Sequence, residues 1–184
     1  MAARIEPARP PYESEVAQDL AKLMPPGMEP IGLFRTVAKN PRVLGRLRRG
    51  GLLDPGSIDL RTRELMILRT TALCRAEYEW GVHVAFFAEA AELSEQEVTA
   101  TVLSNADDWH GREALVVELA DALHTSAQVD DALWQRLRRF FDEAQLIELL
   151  ALAGQYRAVS YLANGSQVEL EAGAPRFPQR TDRR

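Results

Sequence analysis

Residues 60–76 read LRTRELMILRTTALCRA, with Asp59 just before them. Asp59 is a good N-cap, and Leu60, Ile67, Leu68 and Thr71 recur at spacings of seven, eight and eleven, which predicts one long helix. Glu64 falls on the same face. A carboxylate inside an apolar stripe is a local violation of the kind that concentrates at functional or strained sites. Glu77 to Ala91 continues as helix, with Glu79, His83, Phe86, Phe87 and Ala90 at helical spacing. Glu79 and His83 therefore stand one turn apart, with Tyr78 and Trp80 beside them and Cys74 upstream.

The same signals extend in both directions. A first helix is expected from about Ser14 to Met24, where Pro25, Pro26 and Gly27 end it, and a second from about Ile31 to Lys39. Asn40 before Pro41 reads as a cap and a first helical position, opening a third helix that stops at Gly50 and Gly51. Its arginines, Arg42, Arg46, Arg48 and Arg49, are those a helix C-terminus favours, and no aromatic residue accompanies them to suggest a nucleic-acid surface. Downstream, Ser94 to Glu97 has the capping-box form and predicts a helix to about Leu103. Asn105 to Gly111 is a polar break. Helices follow from Arg112, around Leu133 and Leu137, and from a cap at Asp142 to a stop at Asn164 and Gly165. No alternating strand pattern occurs, so the expected class is all-α.

At 184 residues, 46% of them hydrophobic, the chain is sized for one domain, expected over 13–170. Prolines near the start argue for an extended arm over 1–12, of the sort that drapes over a neighbouring subunit. The basic segment 171–184 has too little apolar content to pack by itself and is expected to be a flexible tail. A net charge of −5 gives no global reason to bind nucleic acid or an anionic membrane. With no signal-peptide core and no spanning apolar run, a cytoplasmic protein is the expectation.

The single cysteine rules out an intrachain disulfide, a dithiol couple and a multi-thiolate zinc site within this chain. Cys74 itself reads as an ordinary buried thiol. Three histidines, no HExxH and no paired Glu-x-x-His give no metal motif, and neither a phosphate-binding glycine loop nor a GxSxG elbow is present. The candidate chemistry is therefore acid/base. An imidazole beside a carboxylate is oriented and held protonated, and a second buried carboxylate, Glu64, supplies another proton-handling group. The bland alternative is a structural Glu/His pair of small energetic consequence.

Residues 61–98, RTRELMILRTTALCRAEYEWGVHVAFFAEAAELSEQEV, resemble the core of the carboxymuconolactone decarboxylase family, which includes the AhpD-type alkylhydroperoxidases. The features that carry the resemblance are Glu64, Tyr78 to Trp80, His83 and the small-residue helix ending in Leu93 and Ser94. Trp134, Leu137, Gln145, Glu148, Leu149, Tyr156 and Asn164 extend it. The resemblance implies an AhpD-like multi-helix bundle that assembles into homo-oligomers, commonly trimers or hexamers. The redox branch carries two cysteines at what are here Ala76 and Glu79, so its dithiol mechanism has no thiols to use in this chain. What it implies instead is cofactor-independent decarboxylation, or a related lyase or isomerase step, on a small unsaturated lactone or carboxylate. In that reading His83 is the general acid, Glu79 its orienting partner and Glu64 the second proton-handling group. Tyr78, Trp80 and Phe87 shape the substrate pocket, and Arg75 meets a substrate carboxylate. A peroxidase-type assignment, resting on the family label alone, and a non-catalytic small-molecule-binding oligomer are the alternatives.

Overall fold

Nine α-helices follow one another through residues 3–179, the part of the chain that the computed structural model describes. They are α1 (Ser14–Leu23), α2 (Gly32–Val37), α3 (Pro41–Arg49), α4 (Leu60–Leu73), α5 (Glu77–Phe87), α6 (Glu95–Leu103), α7 (Gly111–Ser126), α8 (Asp131–Leu137) and α9 (Glu143–Ser166), with a 3-10 turn at Ala106–Asp108. No strand occurs among the described residues, and the chain is all-α.

The helices begin where the side chains can cap them. Asn40 accepts from the Val43 N–H, Asp59 from Thr62 and Asp130 from Leu133, while Ser94 with Glu97 and Asp142 with Gln145 form capping boxes. Such caps each stabilise a helix by about 1 kcal/mol. Expected and observed boundaries differ most at α5, which stops at Phe87 rather than Ala91. The chain turns there through Glu92, which has a φ of 55°.

Helix α4 is the axis of the molecule. Its sequence suggests one apolar face, yet every residue from Thr62 to Thr71 is buried, because α5, α6, α7 and α9 all pack against it. A helix enclosed on all sides must satisfy its charged residues internally. Arg69 does so by pairing with both oxygens of Asp121, at 2.6 and 3.0 Å, and by donating to the carbonyls of Thr101 and Ser104. Three apolar clusters surround this axis. The largest joins α4 to α7, α8 and α9 through Leu65, Leu119, Leu137 and Leu149. A second seats α1–α3 on α5 and α9, with Leu20, Leu33 and Leu44 against Tyr78, Val82 and Val159. The third joins Leu68, Trp80 and Leu93.

The described segments 3–12 and 171–179 both find partners within the chain. In the arm, the Arg4 N–H donates to the Ser166 carbonyl and the Ala8 N–H to that of Arg35, and Ala8 and Tyr12 pack on the second cluster. Residues 171–179, expected to belong to a flexible tail, are docked on α5 through Phe177. Phe177 meets the ring of Trp80 edge-on at 5.3 Å, and its N–H donates to Glu77. Phe177, with Glu171 bound to Tyr78, gives contacts to a segment that composition reads as polar. Residues 180–184, the rest of that expected tail, lie outside the described residues.

Candidate active site

A tight turn decides what α4 and α5 can share. Cys74, Arg75 and Ala76 separate the two helices, and Arg75 takes the left-handed conformation with φ 54°. The Ala76 N–H returns to the Thr71 carbonyl, and the Asn164 side chain donates to the carbonyl of Cys74. The turn folds α5 back onto α4, and this brings Glu64 and His83 together.

The Glu64 side chain is fully buried, and His83 and Glu79 are 3% and 6% exposed. A carboxylate can only accept, so His83 Nδ1–H donates to Glu64 Oε2, at 2.7 Å. The other ring nitrogen, Nε2, lies 3.6 Å from Glu79 Oε1, too long for a tight hydrogen bond but close enough for the carboxylate charge to favour an imidazolium. Burial works against the charged ring. The carboxylates of Glu64 and then Glu79 outweigh it, and His83 is pushed up to about 9. Behind Glu64, Arg63 donates to Oε1 at 2.9 Å and to the Leu53 carbonyl at 2.7 Å, with its guanidinium over the face of Phe87. Arg63, Glu64, His83 and Glu79 thus form a buried row of alternating sign whose charges sum to zero. Because the two carboxylates flank opposite nitrogens of one ring, the three acid/base side chains do not converge on a point where a cation would sit.

A cavity of about 330 Å³ opens against this row. Glu79 and His83 line it, with Gln155 and Tyr156 of α9 as the other polar neighbours, and Glu64 stands behind the imidazole, outside the lining. The Tyr156 ring meets that of His83 edge-on at 4.9 Å. Apolar walls come from α5 and from the first helices, including Phe86, Phe87, Leu23, Phe34 and Leu47. One oxygen of Glu79, Oε2, is buried with no partner in the protein.

Glu64 stands behind the imidazole and Glu79 faces the cavity, an arrangement that differs from the expectation of Glu79 as the orienting partner and Glu64 as the second proton-handling group. Phe87 lines the cavity as expected. Tyr78 does not: it lies in the cluster beneath α2, accepts from the Leu33 N–H at 2.9 Å and donates to Glu171 at 2.6 Å. Glu171 also accepts from the Gly32 N–H, so the two side chains cap α2, whose preceding residue Ile31 cannot. Trp80 also faces away, donating to Thr101 at 3.0 Å and packing on Phe177. The cause is helical geometry, since residues adjacent to Glu79 point about 100° away from it. Arg75 is exposed in the turn and does not line the cavity. Cys74, half-buried, is 3.9 Å from His124, its thiol pushed up by burial, and it too is outside the lining. Arg63, Gln155 and Tyr156 were not singled out for this site. The available signals were a second buried charge beside Glu64 and a hydroxyl within the apolar stripe of α9.

Residues 40–122 match the model of the carboxymuconolactone decarboxylase family. No curated protein matches the sequence significantly. Among solved structures, the chain is similar to an uncharacterized peroxidase-related protein of Ralstonia eutropha JMP134, described as an alkylhydroperoxidase AhpD core, with a TM-score of 0.78 at 16% identity over 93% of this chain and 95% of that one. A peroxidase-related protein of Silicibacter sp. TM1040 gives 0.75 at 16% identity over 92% of each chain. A variant of the debrominase Bmp8, in complex with 2,3,4-tribromopyrrole, gives 0.74 at 18% identity over 94% of each. The chain thus has the all-helical fold of AhpD-like proteins, and its central segment, residues 40–122, is similar to the carboxymuconolactone decarboxylase family.

Proposed function

We propose that this protein is an enzyme of cofactor-independent acid/base chemistry, moving a proton on a small unsaturated lactone or related carbonyl compound. The observation that carries the reading is the imidazole of His83, anchored through Nδ1 by a buried carboxylate and turned with Glu79 toward an apolar cavity. His83, protonated at neutral pH, is the general acid. Glu79 is the group placed to accept a proton from carbon. Glu64 keeps the ring oriented, and the substrate's own conjugated carbonyl takes up the developing negative charge. Decarboxylation and isomerisation both fit this scheme, since each passes through a conjugated enolate that His83 reprotonates.

The test is turnover of a panel of unsaturated lactones, acids and neutral compounds alike, followed by ultraviolet absorbance. His83→Ala and Glu79→Gln should each lower kcat by about 10²- to 10⁴-fold, the usual worth of a positioned acid or base. A panel member turned over equally by wild type and His83→Ala would sink the reading. Peroxide consumption that depended on Cys74 would replace it with a redox one. Assembly into a homo-oligomer, trimeric or hexameric, is a further proposal, which a light-scattering mass near the 20.6 kDa of one chain would contradict.

A further inference from the structure

We infer that the substrate of this site arrives uncharged, as a flat, ring-sized unsaturated lactone or ketone without a carboxylate, and is isomerised rather than decarboxylated. This rests on the acid/base reading above and narrows it to one substrate class and one outcome. The ground is the charge of the cavity and its surroundings. Arg63, Glu64, His83 and Glu79 already sum to zero, and their side chains are almost wholly buried. Among the described residues no lysine or arginine lines the cavity. Arg63 faces Glu64, the Leu53 carbonyl and the Phe87 ring, and Arg75, expected to receive a carboxylate, is exposed elsewhere.

A carboxylate entering here would exchange water for an apolar wall with Glu79, itself anionic, among its few polar neighbours. His83 would be its one cationic partner, and both ring nitrogens already face carboxylates. A buried charge without its own partner is strongly disfavoured, whereas a neutral ring leaves the balance untouched. Such a ring also suits the walls. Its carbonyl can accept from His83 Nε2, and an acidic C–H can face Glu79.

The isomerisation balances without any co-reactant. Glu79 takes a proton from the carbon conjugated with the carbonyl, and that C–H electron pair moves into the ring to form a dienolate. His83 then gives its Nε2 proton to a different carbon of the conjugated system, the double bond shifts, and no bond to carbon other than C–H is broken. Glu79 is left protonated and His83 neutral. A small rotation of the Glu79 side chain across the 3.6 Å between them returns the proton and resets the pair.

The experiment compares binding of coumarin, a neutral unsaturated lactone, with that of coumarin-3-carboxylate, by isothermal titration near neutral pH. Coumarin should bind at least about tenfold more tightly, a difference of about 1.4 kcal/mol. Leu47→Arg, which sets a cation in the wall contributed by α3, should narrow or reverse the preference. Equal or tighter binding of the carboxylate by the wild type overturns the inference, as does absence of coumarin binding up to its solubility. Neither measurement involves turnover. A neutral preference without His83-dependent catalysis would therefore remove the catalytic reading alone, and His83-dependent turnover of a lactone acid that also binds more tightly would remove this inference alone.

Discussion

The two halves of the cavity differ in kind. The face built by α5 and α9 holds the polar groups, Glu79, His83, Gln155 and Tyr156, while the face built by residues 23–53 is apolar throughout. The acid/base pair lies inside the segment that matches the family model, 40–122, whereas much of the apolar wall comes before it. In the proposed reading, reactivity and selectivity therefore sit largely on different stretches of chain. A change in the first helices can alter what fits without touching the groups proposed to move protons.

The sharpest challenge to that division, after loss of His83 or Glu79 themselves, is Glu64→Gln. If Glu64 anchors the polar half, its removal leaves Arg63 and His83 without the charge between them, and stability should fall by about 3 kcal/mol in urea unfolding. The His83 ring should then titrate well below its present value of about 9, nearer 6.5, when followed by NMR. Unchanged stability together with an unchanged titration would show that the anchor lies elsewhere.

A gentler probe is pH. Because the folded state raises His83 from 6.5 to about 9, the stabilisation it brings is complete below about 6.5 and is lost as pH rises through about 9. The thermal midpoint should decline across that window, and the decline should vanish in His83→Gln. Activity, if the imidazolium is the acid, should fall on the same alkaline limb. The smallest effect belongs to the apolar half. Phe34→Ala should raise KM by about tenfold and leave kcat within about twofold, because it removes contact area that ground and transition states share. A kcat loss as large as that of His83→Ala would erase the distinction between the two halves.

Much of this is legible in the sequence. The caps at Asn40, Asp59, Ser94 and Asp142 are short-range signals, and each opens the helix it announces. Glu64 was visible as a carboxylate on an apolar face, and His83 with Phe86 and Phe87 as one helical stripe. The assignment of Glu64 and Glu79 was not legible, because it depends on which carboxylate the α4–α5 turn places behind the ring and which before it. Tyr78 and Trp80 misled because adjacency in sequence was read as adjacency in space, although neighbours on a helix diverge by about 100°. Tyr156 reaches His83 from a helix far along the chain, and only tertiary packing could bring it there.

The docked C-terminal stretch carries a consequence for how the site comes into being. Phe177 hydrogen-bonds to Glu77 across a hundred positions, and the Pro175 carbonyl occupies the place a Cβ on Gly81 would need, a space that only glycine leaves open. The helix bearing both Glu79 and His83 is therefore covered on that side by residues synthesised about a hundred positions after it. While residues 174–177 are still in the exit tunnel, Trp80 lacks its aromatic neighbour and α5 has one bare flank, although Glu79 and His83 have long since been synthesised. Completion of this helix's surroundings thus waits on residues synthesised about a hundred positions later, and a nascent chain that stalls before Phe177 leaves that flank of α5 uncovered.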